Sequence, residues 1–402
     1  VSDVNTPSRQ RRAGQQGAVV ALAVATFAFT TNFWAWGLLS PLAPDYRDAL
    51  GLSALQVSVM VAVPVILGSV ARIPIGALTD RFGGRRMFTW LSLFVVLPLL
   101  FLAVFESYPA LLVGGFFVGV SGASFAIGIP FVNHWFAPER RGFALGVYGV
   151  GNVGTAIAGF TSPSIAAATS RSVPFLIVAG VMLVTAAITW LVGRDAPGVD
   201  RHATPIGDRL RAALSLRITL DLSALYALTF GGFVAFGVYL PTYLGEVYGL
   251  ETADAAARAA GFIMLATGAR PVGGWLADRF GGGRVLVVAF GVVTAAAAVQ
   301  AFAPAIVVGT VALLSAAAAL GVGNGAVFAL VGRLAPPERV GAVTGFVGAA
   351  GGLGGFFPPI VMGLVYSATG AYLIGLLLLA GVAFAALLYT VARFTGADAA
   401  AA

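Results

Sequence analysis

Apolar positions run through this chain in long blocks separated by short polar breaks, not in the three-and-four spacing of a one-sided helix. A block of roughly 20 mostly apolar residues suffices for a helix to cross a bilayer. Twelve such spans are predicted, at 18–43, 54–78, 87–106, 109–135, 142–166, 173–193, 218–244, 257–277, 285–303, 305–331, 341–366 and 371–393. The only long polar interruption is 194–217. It reads as a linker between a six-helix bundle at 18–193 and a second at 218–393, with polar tails at 1–17 and 394–402. The expected fold is an all-α membrane protein.

Composition strengthens this picture. Of 402 residues 59% are apolar and 10% charged, against about 25% charged in soluble domains. So much apolar surface needs lipid to cover it. The chain has no cysteine, which excludes disulfides and thiolate metal sites; no metal or cofactor is expected. Arg9, Arg11 and Arg12 lead into a stretch long enough to span, unlike a short signal core.

The net charge of +7 could suggest nucleic acid, but its placement follows membrane topology. One set of alternate loops, with the tails and linker, holds eighteen arginines: Arg9, Arg11, Arg12, Arg81, Arg85, Arg86, Arg140, Arg141, Arg194, Arg201, Arg209, Arg211, Arg217, Arg279, Arg284, Arg333, Arg339 and Arg393. The opposite loops hold Arg47, Arg171 and Arg258. By the positive-inside rule the first set faces the cytoplasm, with both termini, in a multi-pass protein of the cell membrane. No nucleic-acid partner is expected.

The halves repeat. "ARIPIGALTDRFGGRR" (71–86) returns as "ARPVGGWLADRFGGGR" (269–284) with ten of sixteen positions identical. "PERRGFALGVYG" from Pro138 returns as "PERVGAVTGFVG" from Pro337. Matching landmarks imply two similar bundles about a pseudo-two-fold axis, with a site between them.

The repeat places Arg72 and Arg270 each eight residues before an aspartate, Asp80 and Asp278. At 1.5 Å per residue, each lies roughly 12 Å inside its helix, near the midplane. There an arginine costs about 2.5–3.5 kcal/mol even on the lenient insertion scale. A structural ion pair would offset that, but all sixteen acids fall in loops, tails or within about a turn of a helix end. Two unneutralised cations on related helices read as an anion site, because guanidinium forks two donors toward an oxyanion.

Other residues reach that depth. Helix 5 opens with "GVYGVGNVGTAIAG", which carries Gly149, Gly151, Asn152 and Gly154; helix 11 carries "GFVGAAGGLGG", with Gly348, Gly351 and Gly354. Close helix packing is the plainer reading of the glycines. Asn152 lies roughly 15 Å into its span and can donate where a carboxylate would repel. Tyr226 and Phe230 share a face of helix 7 at i and i+4. Phe125 lies at a similar depth in helix 4.

These features resemble the major facilitator superfamily. Its loop signature is matched by Gly76, Asp80, Arg81, Gly83, Gly84, Arg85 and Arg86 between helices 2 and 3. Gly274, Asp278, Arg279, Gly281 and Arg284 follow the second copy. Within it the chain is similar to the nitrate/nitrite porter family: an arginine in helices 2 and 8, G-x-G-N-x-G in helix 5, and a glycine run in helix 11. Departures are Ala137, where the family often has proline, and Gly283, opposite Arg85. The resemblance implies that Arg72 and Arg270 grip the anion, Asn152 and Tyr226 hydrogen-bond it, and Phe125 and Phe230 wall it in. It implies nitrate and nitrite as partners, and a gating role for the two signature loops.

Alternating access would follow, with nitrate/nitrite exchange expected because an empty site leaves two like charges facing each other in a low dielectric. Proton symport stays open: it usually uses intramembrane acids or histidines, whereas His202 is in the linker and His134 at a helix end. Formate, cyanate or a dicarboxylate would suit the same arginines. An enzyme is not expected, since no mid-span carboxylate, histidine or cysteine exists to do chemistry. The chain is expected to act as a monomer.

Overall fold

The computed structural model describes residues 6–136, 138–197, 207–208, 211, 214–336 and 339–394. Ala137, most of the predicted linker and the tail beyond 394 lie outside these. The chain is helical: α1 Thr6–Trp36, α2 Ala43–Leu50, α3 Ala54–Val70, α4 Arg72–Phe82, α5 Gly84–Val104, α6 Tyr108–Val118, α7 Ser124–Asn133, α8 Pro138–Gly149, α9 Val153–Ala168, α10 Ser172–Leu191, α11 Arg217–Tyr248, α12 Thr252–Phe280, α13 Gly282–Ala301, α14 Ile306–Leu334, α15 Val340–Gly354, α16 Phe357–Thr369 and α17 Leu373–Phe394.

Among the described residues, ten segments are long and apolar enough to cross a bilayer. The two other predicted spans, 142–166 and 257–277, coincide with α8–α9 and α12. α12 is continuous for 29 residues, about 43 Å at 1.5 Å per residue, but Asp254, Arg258, Arg270, Asp278 and Arg279 dilute its apolar run.

Several predicted boundaries are corrected. Span 1 was expected to reach 43, but its helix ends at Trp36. Residues 37–42 turn, burying Leu38, Leu39 and Leu42; apolar character there serves burial, not helix continuation. Four predicted spans are also broken. Span 2 is interrupted at Ala71, span 4 by a 3₁₀ turn at Gly119–Ala123, span 5 by one at Val150–Asn152, and span 11 between Gly354 and Phe357.

Local chemistry sets the helix ends. Ser53 and Gln56 form a reciprocal capping box at the start of α3. The repeated Asp-Arg-Phe-Gly motif ends α4 and α12 on Gly83 and Gly281, at φ +86° and +89°. Glycine adopts such values without the Cβ clash that other residues incur. At Gly83 a side chain would also collide with the Asp195 carboxylate, whose Oδ1 accepts from the Arg85 backbone N–H at 3.2 Å.

Packing repeats between the halves. α5 lies along α10, as α13 lies along α17; α3 packs on α6, as α12 packs on α14. The halves meet through α3 with α15 and α16, and through α9 with α12. Hydrogen bonds crossing between halves include Ser40 Oγ to the Val238 carbonyl (2.6 Å), Ser58 to Tyr239 (3.4 Å) and Thr252 to Asp45 (2.8 Å). Arg47 of α2 pairs with Glu246 of α11, which also accepts from Tyr372. All of these lie toward the end of the bundle remote from the termini. There Tyr46 is buried beneath Arg171, itself paired with Glu106 at 2.8 Å. Burial, reinforced by the Glu106 carboxylate, pushes the Tyr46 phenol above its ordinary range, so it stays neutral in ordinary buffers.

Candidate anion site between the halves

Arg72 and Arg270 each stand ten residues before the C-terminus of their helix, at Phe82 and Phe280, roughly 15 Å from the membrane end. Arg72 is 4% exposed and opens α4 directly after the break at Ala71. Arg270 is half-buried as a whole residue, yet its Nε and Nη2 are shut off from solvent. Neither makes an ion pair among the described residues.

Phe230 joins them. The Arg72 guanidinium carbon lies 5.3 Å from the ring centre and that of Arg270 5.1 Å from it. The two cations therefore stand no more than about 10 Å apart. Phe125 covers Arg72 at 5.4 Å, and Phe233 covers Arg270 at 4.8 Å. Aromatic faces offset part of the charge burial, by about 0.5–2 kcal/mol per contact. They do not satisfy the N–H donors.

One donor is satisfied across the interface: Arg72 Nη1 donates to the Gly348 carbonyl at 2.6 Å. Arg72 Nε, Arg270 Nε and Arg270 Nη2 have no hydrogen-bond partner among the described residues. A buried donor left in that condition is unfavourable by about 1–3 kcal/mol, more when charged. A small oxyanion between the guanidiniums would answer that demand.

The remaining predicted residues divide. Tyr226 stacks on Phe230 (5.1 Å, 5° between planes), and Phe125 lies 6.3 Å from Tyr148; both stand in this aromatic layer. Asn152 is 1% exposed in the helix 5 break. Its Nδ2 donates to the Gly149 carbonyl at 2.8 Å, while Oδ1 has no partner among the described residues.

The glycines separate by role. A side chain at Gly351 would collide with the Tyr226 ring, whereas one at Gly348 would make ordinary contact with Phe125 at 3.6 Å. Gly151 and Gly154 admit span 1, at Phe29 and the Thr30 carbonyl, and Gly354 admits the Ala227 backbone. Around Gly149 and Gly274 there is open space, and at Gly76 the nearest atom is 3.9 Å away. Asp80, Arg81, Asp278 and Arg279 lie near the ends of α4 and α12, remote from the arginine layer along their helices.

Sequence reading missed four contributors. Phe233 continues the Tyr226–Phe230 stripe by one turn, so extending that periodicity would have found it. Phe328 meets Tyr226 edge-on at 4.8 Å. Asn324 is 1% exposed with both amide atoms unpartnered among the described residues. It ends "GVGN" at 321–324, a repeat of "GVGN" at 149–152. The Gly348 carbonyl leaves no trace in sequence, because every residue carries one.

Two related helical bundles with a pair of guanidiniums between them are the architecture of a membrane-carrier superfamily, and comparison with known proteins identifies it. Residues 25–359 match the family model of the Major Facilitator Superfamily. The chain superposes on the human organic anion transporter MFSD10 (TETRAN) with a TM-score of 0.74, 15% identity and coverage of 93% and 99% of the two chains. A bacterial homologue of the human lysosomal transporter Spinster, in an inward-facing and occupied conformation, gives 0.70, with 18% identity and coverage of 92% and 94%. Sequence relatives are nearer. The "Probable nitrate/nitrite transporter NarK2" of Mycobacterium tuberculosis is 45% identical over 384 residues, covering 93% of this chain and 96% of the relative. The "Nitrite extrusion protein" of Bacillus subtilis is 38% identical, covering 91% and 92%. The "Probable nitrate transporter NarT" of Staphylococcus epidermidis is 36% identical, covering 88% and 90%. The chain belongs to the nitrate/nitrite porter family of the major facilitator superfamily.

Proposed function

We propose that this protein carries nitrate and nitrite across the cell membrane by alternating access, exchanging one for the other. The observation that carries this reading is the pair of guanidiniums on related spans, sharing the Phe230 ring and retaining unpartnered donors. The names of the relatives support the choice of anion. Nitrate is planar, with diffuse charge and weak acceptors. Fixed positive charge, a few neutral donors from Asn152 and Tyr226, and apolar walls from Phe125 and Phe230 suit it. Arginine stays protonated through the cycle, so the site has no evident group to take up and release a proton.

The arginine-rich loops support a cytoplasmic position for both termini. The hydrogen-bonded end is then the outer face, and the bundles are drawn together there. An empty site returns slowly because two like charges oppose closure in a low dielectric. A bound anion reduces that repulsion.

Counterflow in proteoliposomes tests the reading. Internal nitrite should accelerate entry of labelled nitrate, and a pH gradient alone should concentrate none. Accumulation driven by a proton gradient without internal nitrite would establish symport instead. Preferential uptake of formate, cyanate or a dicarboxylate would reassign the substrate.

A further inference from the structure

Asn324 holds its amide inside the protein with neither end engaged among the described residues. Other buried amides are better served. Asn32 donates to the Ala28 carbonyl and to Ser92, Gln300 to Tyr243 and Tyr248, and Asn152 to the Gly149 carbonyl. A carboxamide brings two donors and an acceptor, and removing all of them from water without replacement is unfavourable. A buried polar group in that condition points to a partner outside the protein's own bonds.

Neighbouring contacts fix where it faces. Leu320 and Phe328, one turn before and one after, share its side of α14. Leu320 packs at Gly232 of α11, where an added Cβ would lie 3.1 Å from its Cδ2. Phe328 meets Tyr226 of the same helix. Asn324 therefore faces α11 between Tyr226 and Gly232, the stretch that carries Phe230. The adjacent Gly325 is pressed so tightly on the Arg270 backbone that a side chain there would collide with its carbonyl. The amide thus sits at the level of Arg270, whose Nε and Nη2 are likewise without partners among the described residues.

We propose that Asn324 is a further arm of the anion site. Once the oxyanion is bound, the Asn324 Nδ2 donates to one of its oxygens and the Oδ1 accepts from the Arg270 guanidinium, turning that fork toward the anion. An amide does both without changing the site's charge. A carboxylate at this position would compete with the substrate for Arg270, and an apolar side chain would do neither. The inference rests on reading the site as one for nitrate and nitrite.

Purified wild type, Asn324→Ala and Asn324→Asp are compared by thermal unfolding, with sodium nitrate or nitrite against sodium chloride, and by uptake in proteoliposomes. Wild type should gain stability from nitrate. Asn324→Ala should unfold at the wild-type temperature or above without the anion, since no bond within the protein is lost. Its nitrate-induced shift should shrink, and KM should rise about tenfold, the scale of one lost hydrogen bond to an ion. Asn324→Asp should gain anion-free stability by pairing with Arg270 and lose the nitrate response. Wild-type KM and an undiminished shift in Asn324→Ala overturn the proposal. So does a fall in anion-free stability in both variants, because the amide would then be committed to the fold. Failure of wild type to respond to or carry either anion overturns the nitrate reading, and the proposal falls with it. Wild-type transport beside an unaffected Asn324→Ala overturns the Asn324 assignment alone.

Discussion

A guanidinium and an ammonium carry the same charge but differ in shape, and at Arg72 and Arg270 shape decides. Each guanidinium lies over Phe230 and a second ring, at 4.8–5.4 Å, with a plane that stacks while its edge donates. Arg72 commits one edge donor to the Gly348 carbonyl, while its Nε has no hydrogen-bond partner among the described residues. A lysine ammonium, a compact point charge, has no plane to stack between two rings while an edge donates. Arg72→Lys and Arg270→Lys are each expected to reduce kcat/KM for nitrate at least about tenfold, roughly 1.4 kcal/mol of transition-state binding, while the protein still elutes as a single folded species. Initial uptake rates in proteoliposomes, normalised to incorporated protein, check this. Wild-type rates in either variant would remove that arginine from the site.

Among the elements, the glycine-rich spans give a graded test, since neighbouring glycines of one run meet different surroundings. Gly351→Ala drives a methyl into the Tyr226 ring and Gly154→Ala drives one into the span 1 backbone, whereas Gly348→Ala finds ordinary contact and Gly149→Ala open space. The first two should cut uptake severely. Gly154→Ala should also lower the unfolding temperature, because a backbone carbonyl cannot step aside as a ring can. The latter two should retain activity, helped by alanine's better helix propensity, about 1 kcal/mol over glycine. A uniform response across all four would mean that the run works through backbone flexibility and not through packing.

Much of this layer was legible from the amino acids alone. Charge in an apolar run is conspicuous, so Arg72 and Arg270 stood out, and a four-residue spacing put Tyr226 on Phe230. The breaks at Ala71 and Val150–Asn152 were not legible. Hydropathy sums side-chain character over a window, and a shift of one backbone hydrogen bond leaves that sum untouched. For the same reason the apolar segment 37–42 read as helix although it turns.

At the scale of the whole molecule, one polar clamp spans the halves at the end remote from the termini. Glu246 of α11 receives both Arg47 from the first half and Tyr372 from the bend just before α17. Its side chain is 8% exposed, so removing one partner leaves a charge poorly solvated. The Arg47 side chain is 32% exposed, so the loss is smaller than the roughly 3–5 kcal/mol of a fully buried pair. Arg47→Gln should therefore favour the state in which this end is open. Because the chain has no cysteine, a single Ser40→Cys reports that opening, and its labelling by a membrane-impermeant maleimide should speed up in the Arg47→Gln background. Unchanged labelling would show that the clamp does not hold this end shut. The bond between Arg72 and the Gly348 carbonyl is a different kind of link, since it joins the halves at mid-depth. Two rigid bodies joined at mid-height behave as a lever with arms of similar length, so a small tilt about that point opens one mouth as it narrows the other. On the proposed reading, the fulcrum would be the residue that also holds the anion. Load and pivot would then coincide, and an arriving anion would alter the balance of the lever directly, with no relay to distant gates.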